Sequence, residues 1–306
     1  MKEKEEEKVF PKVRLSWYPG HMAKTKRQII EDLKLIDIVI EILDARIPLS
    51  SRNPDIETIT NKKKKIIILN KSDLAEENQN VSWINYYKNK NISAIAVDSN
   101  TGKGIEKVEK EIEKLMEEEL IKNSNKGRIG KKIKVMVLGI PNVGKSSFIN
   151  RISKRATANV ANKPGVTRQK QWVRINEKIE LLDTPGILWP KLGNEKTSLN
   201  LAFTGTIKET ILNNTEIAYN LIKYLIENEQ EKLCQRYNIT KEEIKEKLSQ
   251  NQPENVNIYD VLLEIGKKRG CLASGGRVDE EKISKILIDE FKSGKIGRIT
   301  LEKIMI

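Results

Sequence analysis

Short runs of consecutive apolar residues alternate with longer polar segments over the first two thirds of the chain. Residues 38–43, 66–69, 94–97, 133–138 and 179–182 read as strands. Several of these runs are apolar at successive positions, as expected of strands covered on both faces. Between them, residues 22–35, 104–121 and 145–153 carry helical spacing. Strands that alternate with helices predict an α/β fold, a mostly parallel sheet with flanking helices. Residues 122–132 are rich in Lys, Gly, Asn and Arg, lack an apolar face, and read as a loop joining two halves of the sheet. After Pro190 the character changes. From Thr206 onward the pattern is helical, with apolar spacing at 217–226 and 283–291, and predicts a smaller all-α domain. A chain of 306 residues exceeds what one core usually organises. The expected division is residues 1–200 as the α/β domain with an N-terminal extension, and residues 201–306 as the helical domain.

The segment Gly139-Ile140-Pro141-Asn142-Val143-Gly144-Lys145-Ser146 follows a predicted strand and opens a predicted helix, the context a phosphate-binding P-loop requires. Its glycines let backbone N–H groups turn towards phosphates, and the helix N-terminus adds partial positive charge. Val143, Gly144, Lys145, Ser146 and Ser147 are therefore expected against the phosphates. Lys145 would reach the β- and γ-phosphates, and the Ser146 hydroxyl would ligate Mg²⁺, a hard cation that prefers oxygen.

The segment Asn70-Lys71-Ser72-Asp73, at the end of a predicted strand, matches the guanine-reading element of GTPases. A carboxylate at Asp73 can accept from guanine N1–H and the 2-amino group. Adenine offers an acceptor at N1 and no amino group, so a site built this way rejects ATP strongly. Asn70 would support the base and its loop, and the Lys71 stem would pack along the ring. Asn-Lys-x-Asp alone is a common surface turn; beside a P-loop it gains specificity. In most GTPases the P-loop comes first, whereas here residue 70 precedes residue 139. A single sheet accommodates that order only if the chain is circularly permuted, with residues 122–132 joining what would otherwise be termini. Val97-Asp98-Ser99-Asn100 stands where a second base-supporting loop belongs, with Ser99 as its expected contact.

Downstream, Pro164-Gly165-Val166-Thr167 resembles a switch I threonine, and Asp183-Thr184-Pro185-Gly186 the start of switch II. Thr167 would complete the Mg²⁺ shell, Asp183 would hold a metal-bound water, and the Gly186 N–H would sense the γ-phosphate. Release of these contacts on hydrolysis would constitute a switch. Many GTPases place a water-orienting glutamine after the switch II glycine, but this chain has Ile187, which can neither donate nor accept a hydrogen bond. Intrinsic turnover is therefore expected to be slow. His21 is the one histidine in the sequence. A lone histidine is ordinarily structural or solvated, and its spacing leaves that reading open beside a catalytic one. Asn142 resembles the P-loop asparagine of GTPases that hold K⁺ beside the phosphates, where it would stabilise developing charge. An asparagine that merely braces the loop fits the same residue.

The formal net charge is +13. Such an excess draws a chain towards polyanions, with nucleic acid the first candidate and an anionic membrane surface the second. Lys122, Lys126, Arg128, Lys131 and Lys132 concentrate it in the joining loop; Lys267, Lys268, Arg269 and Arg277 do so beside Gly270, Gly275 and Gly276. Glycine turns let a backbone approach closely, which favours RNA over a merely solvated face for the second cluster. No apolar run reaches a bilayer span. The charged N-terminus lacks the apolar core of a secretion signal, and its acidic residues argue against a transit peptide. Two distant cysteines, Cys234 and Cys271, support neither a disulfide framework nor a zinc site. A cytoplasmic monomer is the expectation.

Several segments carry a closer resemblance: Trp17-Tyr18-Pro19-Gly20-His21-Met22-Ala23-Lys24, Asp44-Ala45-Arg46-Ile47-Pro48, Arg52-Asn53-Pro54, residues 183–191 and residues 266–277. Together with the permuted GTPase elements, they resemble bacterial ribosome biogenesis GTPase A, the YlqF class of circularly permuted GTPases, over nearly the whole chain. Relatives with an added OB-fold or zinc module fit poorly. The resemblance implies a GTPase that acts in late maturation of the large (50S) ribosomal subunit, binds it in the GTP state and leaves on hydrolysis. It also implies that a hydrophobic residue replaces the switch II glutamine, here Ile187, that His21 serves hydrolysis, and that the helical domain touches ribosomal RNA. The alternative is a GTP-dependent RNA-binding module in which hydrolysis is incidental. A third reading is a membrane-surface or tRNA-processing GTPase using the same basic face.

Overall fold

The computed structural model describes residues 21–125, 131–156, 171–184, 194–207, 213–249 and 254–304. The chain divides into two compact units. Among the described residues of the α/β unit, six strands form one sheet: β1 (Ile38–Asp44), β2 (Lys64–Asn70), β3 (Ser93–Val97), β4 (Ile133–Gly139), β5 (Gln171–Arg174) and β6 (Ile179–Asp183). Their spatial order is β3-β2-β1-β4-β6-β5. All neighbours run parallel except the β5–β6 pair. The helices of this unit are α1 (His21–Asp32), α2 (Pro54–Thr60), α3 (Glu77–Asn89), α4 (Ile105–Asn125) and α5 (Lys145–Ala156).

The apolar runs form strands because the sheet centre has no solvent face. All seven residues of β1 are buried. Strand alternation puts Val39, Glu41 and Leu43 on one side. Val39 packs with Ile29, Leu33, Ile56, Met136 and Leu138, under α1 and α2. Leu43 packs with Ile67, Leu69, Trp83 and Tyr87, under α3. The register brings the strand ends level: Asp44 pairs with Asn70, Asn70 with Val97, Ile42 with Gly139, and Val137 with Asp183. Asp44, Asn70, Gly139 and Asp183 thus meet at the carboxyl edge of a parallel sheet, where such folds place ligands.

The described helices of the second unit are α6 (Glu195–Phe203), α7 (Asn214–Asn228), α8 (Gln230–Tyr237), α9 (Lys241–Leu248), α10 (Glu254–Lys268) and α11 (Glu280–Lys292). Local chemistry starts several of them. Asn194, Asn213 and Asp279 accept N-terminal backbone N–H groups, and Thr240 with Glu243 forms a reciprocal capping box. Their apolar stripes meet in a core that includes Leu201, Leu221, Leu225, Val261, Ile265 and Leu287. Phe203 and Phe291 add an edge-to-face ring contact at 6.3 Å.

Several boundaries differ from the sequence expectation. The division at residue 200 would cut α6, whose buried Leu201, Ala202 and Phe203 belong to the helical core. The described residues from Asn194 onward instead belong to the helical unit, and those from Arg298 to Ile304 belong to the α/β unit. That return is driven by burial: Ile299, Thr300 and Leu301 are all buried. The joining loop is shorter than expected, because α4 continues to Asn125 and carries Lys122 in its last turn, where a cation complements the helix dipole. Strand β5 had no apolar run to announce it, since it is a four-residue edge strand whose Trp172 stays exposed. Among the described residues no helix is long and apolar enough to cross a membrane.

Candidate nucleotide site

The loop after β4 turns sharply into α5. Asn142 and Gly144 both take positive φ, 62° and 92°. At Gly144 a Cβ would collide with the Asn70 amide, and at Gly139 it would meet the Ile42 carbonyl at 2.9 Å. The two glycines are therefore required by close approach of the neighbouring strands' loops. Ser146 and Ser147 are exposed in the first turn of α5, while Lys145 is buried. The Lys145 ammonium donates to Asp183 Oδ1 at the end of β6, and both side chains are 8% exposed. The neighbouring Thr184 hydroxyl donates to the Val137 carbonyl at 2.7 Å, fixing the β6 end against β4.

The guanine-type loop lies against this turn. Asn70 Nδ2 donates to the Val143 carbonyl at 2.8 Å, and its Oδ1 accepts from the Ser99 hydroxyl at 2.7 Å. The structure thus shows Ser99 supporting Asn70. Lys71, at φ 57°, donates from Nζ to the Asn142 carbonyl at 2.9 Å and pairs with Asp44 at 3.0 Å. Its stem is therefore stretched towards the P-loop. Asp73 sits exposed on the same loop. Partial desolvation, then the charge of Asp98, push its carboxyl above the usual aspartate value, while its own backbone N–H, Arg46 and Arg298 draw it back.

Residues outside the expected set brace these loops. Arg46 grips Asp44 with two bonds, Nε to Oδ1 at 3.0 Å and an Nη to Oδ2 at 2.8 Å. Burial alone would raise the Asp44 carboxyl, but Arg46 and Lys71 more than offset it and hold it well below the usual range. From α5, Arg151 donates to the Ser99 carbonyl at 3.0 Å, tying the P-loop helix to the second base loop. Asp44 and Arg46 lay in a quoted segment without an assigned role, and nothing in its spacing marks Arg151.

The side chain of His21 and residues Thr167, Gly186 and Ile187 lie outside the described residues. Of the basic groups, Lys126 and Arg128 also lie outside. Lys131 pairs with Asp37 and Lys132 with Glu180. In the helical unit Lys267 pairs with Glu264, Lys268 with Glu243 and Arg269 with Glu290. Arg277 is exposed beside Gly275 and Gly276, whose positive φ values close a turn.

Comparison with known proteins agrees with this architecture. The family described as 50S ribosome-binding GTPase matches residues 134–259, starting at β4; β1 to β3, which precede the P-loop here, fall outside the match. Ribosome biogenesis GTPase A of Bacillus cereus is 42% identical over 94% of this chain and 93% of its own length. The protein of the same name from Priestia megaterium is 43% identical over 94% of this chain and 96% of its own. A crystal structure of GNP-bound YlqF from T. maritima superposes with a TM-score of 0.59 at 25% identity, covering 92% of this chain and 98% of that one. The chain belongs to the ribosome biogenesis GTPase A family, the YlqF class of circularly permuted P-loop GTPases.

Proposed function

We propose that this GTPase is an assembly factor for late maturation of the large ribosomal subunit, bound to it with GTP and released on hydrolysis. The carrying observation is the direct bonding of Asn70 and Lys71 to the carbonyls of Val143 and Asn142. These bonds hold the loop proposed to read the base against the loop proposed to cradle the phosphates. The ribosomal partner is supported by the description of the matching family and by the names of the bacterial relatives.

GTPases of this family use Mg²⁺, and the oxygen donors at the strand ends suit that ion. Ser146 would ligate it directly, Thr167 would join in the GTP state, and Asp183 would act through a water. Bound there, the ion neutralises charge on the β- and γ-phosphates. Lys145 and Asp183 pair with one another in the structure. Phosphate oxygens would compete for the Lys145 ammonium and a hydrated cation for the Asp183 carboxylate, so nucleotide binding would part this pair. The Gly186 N–H reports the γ-phosphate. K⁺ beside Asn142 is the secondary assignment, resting on the place of this exposed residue at positive φ in the phosphate loop.

Hydrolysis by the isolated protein is slow, because Ile187 cannot orient water, and the large subunit stimulates it with His21 acting at the attacking water. The protein works in the cytoplasm, as a monomer. Co-sedimentation with purified large subunits tests this account. A non-hydrolysable GTP analogue should recover more protein than GDP, and equal recovery would remove the nucleotide-gated partner. His21→Ala should greatly lower subunit-stimulated turnover with nucleotide affinity kept; an unchanged rate would remove His21 from the mechanism.

A further inference from the structure

The chain leaves the helical unit at Gly297 and returns at Arg298 to the α/β unit. From Arg298 to Glu302 it follows the outer side of the guanine-type loop. The Arg298 guanidinium donates to the Ser72 carbonyl at 3.0 Å, to the Ala75 carbonyl at 2.5 Å and to Glu77 at 2.8 Å. Its fork therefore bridges carbonyls on both sides of Asp73. Ile299 N–H donates to the Leu74 carbonyl at 3.0 Å, and the Thr300 hydroxyl accepts from Glu76 N–H at 3.0 Å. Leu301 N–H donates to the carbonyl of Arg46, the residue that grips Asp44. Glu302 accepts from the Leu49 and Ser50 N–H groups at 2.6 and 3.0 Å, and its carbonyl takes the Trp83 indole N–H at 2.8 Å.

Asn70 and Lys71 hold the loop from the phosphate side, and this strap holds it from the other. We propose that the C-terminal strap is a working part of base selection, with Arg298 a positioning residue that sets the angle at which Asp73 meets the guanine edge. Two hydrogen bonds to N1–H and the 2-amino group demand a fixed carboxylate direction, whereas the phosphate cradle is built elsewhere. Loosening the strap therefore costs affinity through the base and spares the phosphates. Arg298 also places a cation near Asp73, opposing the groups that favour its protonation.

The inference rests on Asp73 being the guanine reader, so the test carries both variants. The full-length protein, as wild type, Arg298→Ala, Arg298→Lys and Asp73→Asn, is titrated with GDP and with IDP, which lacks only the 2-amino group. Thermal melts confirm folding. Arg298→Ala should weaken GDP on the order of tenfold and IDP much less, shrinking the preference between them, with Arg298→Lys recovering part of it. Unchanged GDP affinity, or equal weakening of GDP and IDP, overturns the strap's role. Should Arg298→Ala fail to fold, Thr300→Val, which removes the hydroxyl that takes the Glu76 N–H, should shift the preference in the same direction; an unchanged ratio there overturns it too. If Asp73→Asn leaves the ratio untouched, the base-reading assignment itself falls, and the strap's role with it. If Asp73→Asn collapses the ratio and Arg298→Ala does not, the strap alone is refuted.

Discussion

Asn70 donates to the carbonyl of Val143 at 2.8 Å although 73 positions separate the two residues. This bond closes the permuted site. It holds the base loop after β2 against the phosphate loop after β4, across the intervening strand β1. Its acceptor lies one residue before Gly144, where any side chain would displace the same asparagine.

Gly144→Ala should therefore damage two loops at once. The new methyl must occupy a positive-φ residue and push the Asn70 amide away. GDP affinity should fall roughly tenfold or more, since the strained backbone costs about 1–2 kcal/mol before any lost bond is counted. Fluorescent-nucleotide titration measures it, and wild-type affinity would show that the close approach is dispensable.

Lys145 and Asp183 form a buried pair, so removing either one takes a charge partner from the other. Lys145→Met should lower nucleotide-free stability by up to about 3–5 kcal/mol, because the buried Asp183 carboxylate loses the ammonium that faces it. Adding Asp183→Leu should return part of that loss. Urea unfolding of the four proteins in a double-mutant cycle reads the coupling, and strict additivity would contradict it.

Guanine binding should weaken in mild acid. As the proposed guanine reader, Asp73 would accept two hydrogen bonds only as a carboxylate, and desolvation with Asp98 nearby raises its pKa. As pH falls through that raised value the free protein gains a proton that guanine binding must expel, so GDP affinity drops at a higher pH than an ordinary aspartate would show. GDP titrations from pH 4 upward to neutrality, with Asp73→Asn as the reference that lacks this carboxyl, measure the effect.

Glu41 makes a second pH signature, this one in stability. It is fully buried on β1, with Arg52 at 3.6 Å and Lys65 at 3.7 Å. Burial raises its carboxyl, and Lys65 and Arg52 only partly counter that. Above the unfolded pKa, about 4.3 for a free glutamate, the folded state holds the proton more tightly than the unfolded chain. Stability from this group is thus present below that pH and is lost as pH rises through the folded value. Glu41→Gln should flatten this slope in chemical denaturation between pH 4 and pH 7.

The two loops whose proposed chemistry is local could be picked out from the sequence, and the fold brings them together. The run from Gly139 to Ser146 and the run from Asn70 to Asp73 are recognisable by residue type and spacing, and their order along the chain already demanded a permuted sheet. What stayed hidden depends on distant partners. Arg298 is one basic residue among 56 Lys and Arg residues, and only the fold reveals that it faces Ser72 and Ala75. Arg151 likewise gains its partner from the packing of α5. The ion pairs of Lys267, Lys268 and Arg269 were also hidden, because their acids, Glu264, Glu243 and Glu290, lie on other helices or at helical spacing. The lost boundary at residue 200 has the same origin: α6 is short, and its membership of the helical unit is written in tertiary packing.

The most direct test of the permuted pocket is the base preference of Asp73→Asn. An amide can donate to the 2-carbonyl of xanthine where the carboxylate accepted from the 2-amino group of guanine. Titration of the folded variant should show weakened GDP binding and strengthened xanthosine diphosphate binding relative to wild type. Undiminished preference for GDP would contradict the account, because the guanine edge would then be read by residues other than the loop that Asn70 fastens to the phosphate cradle.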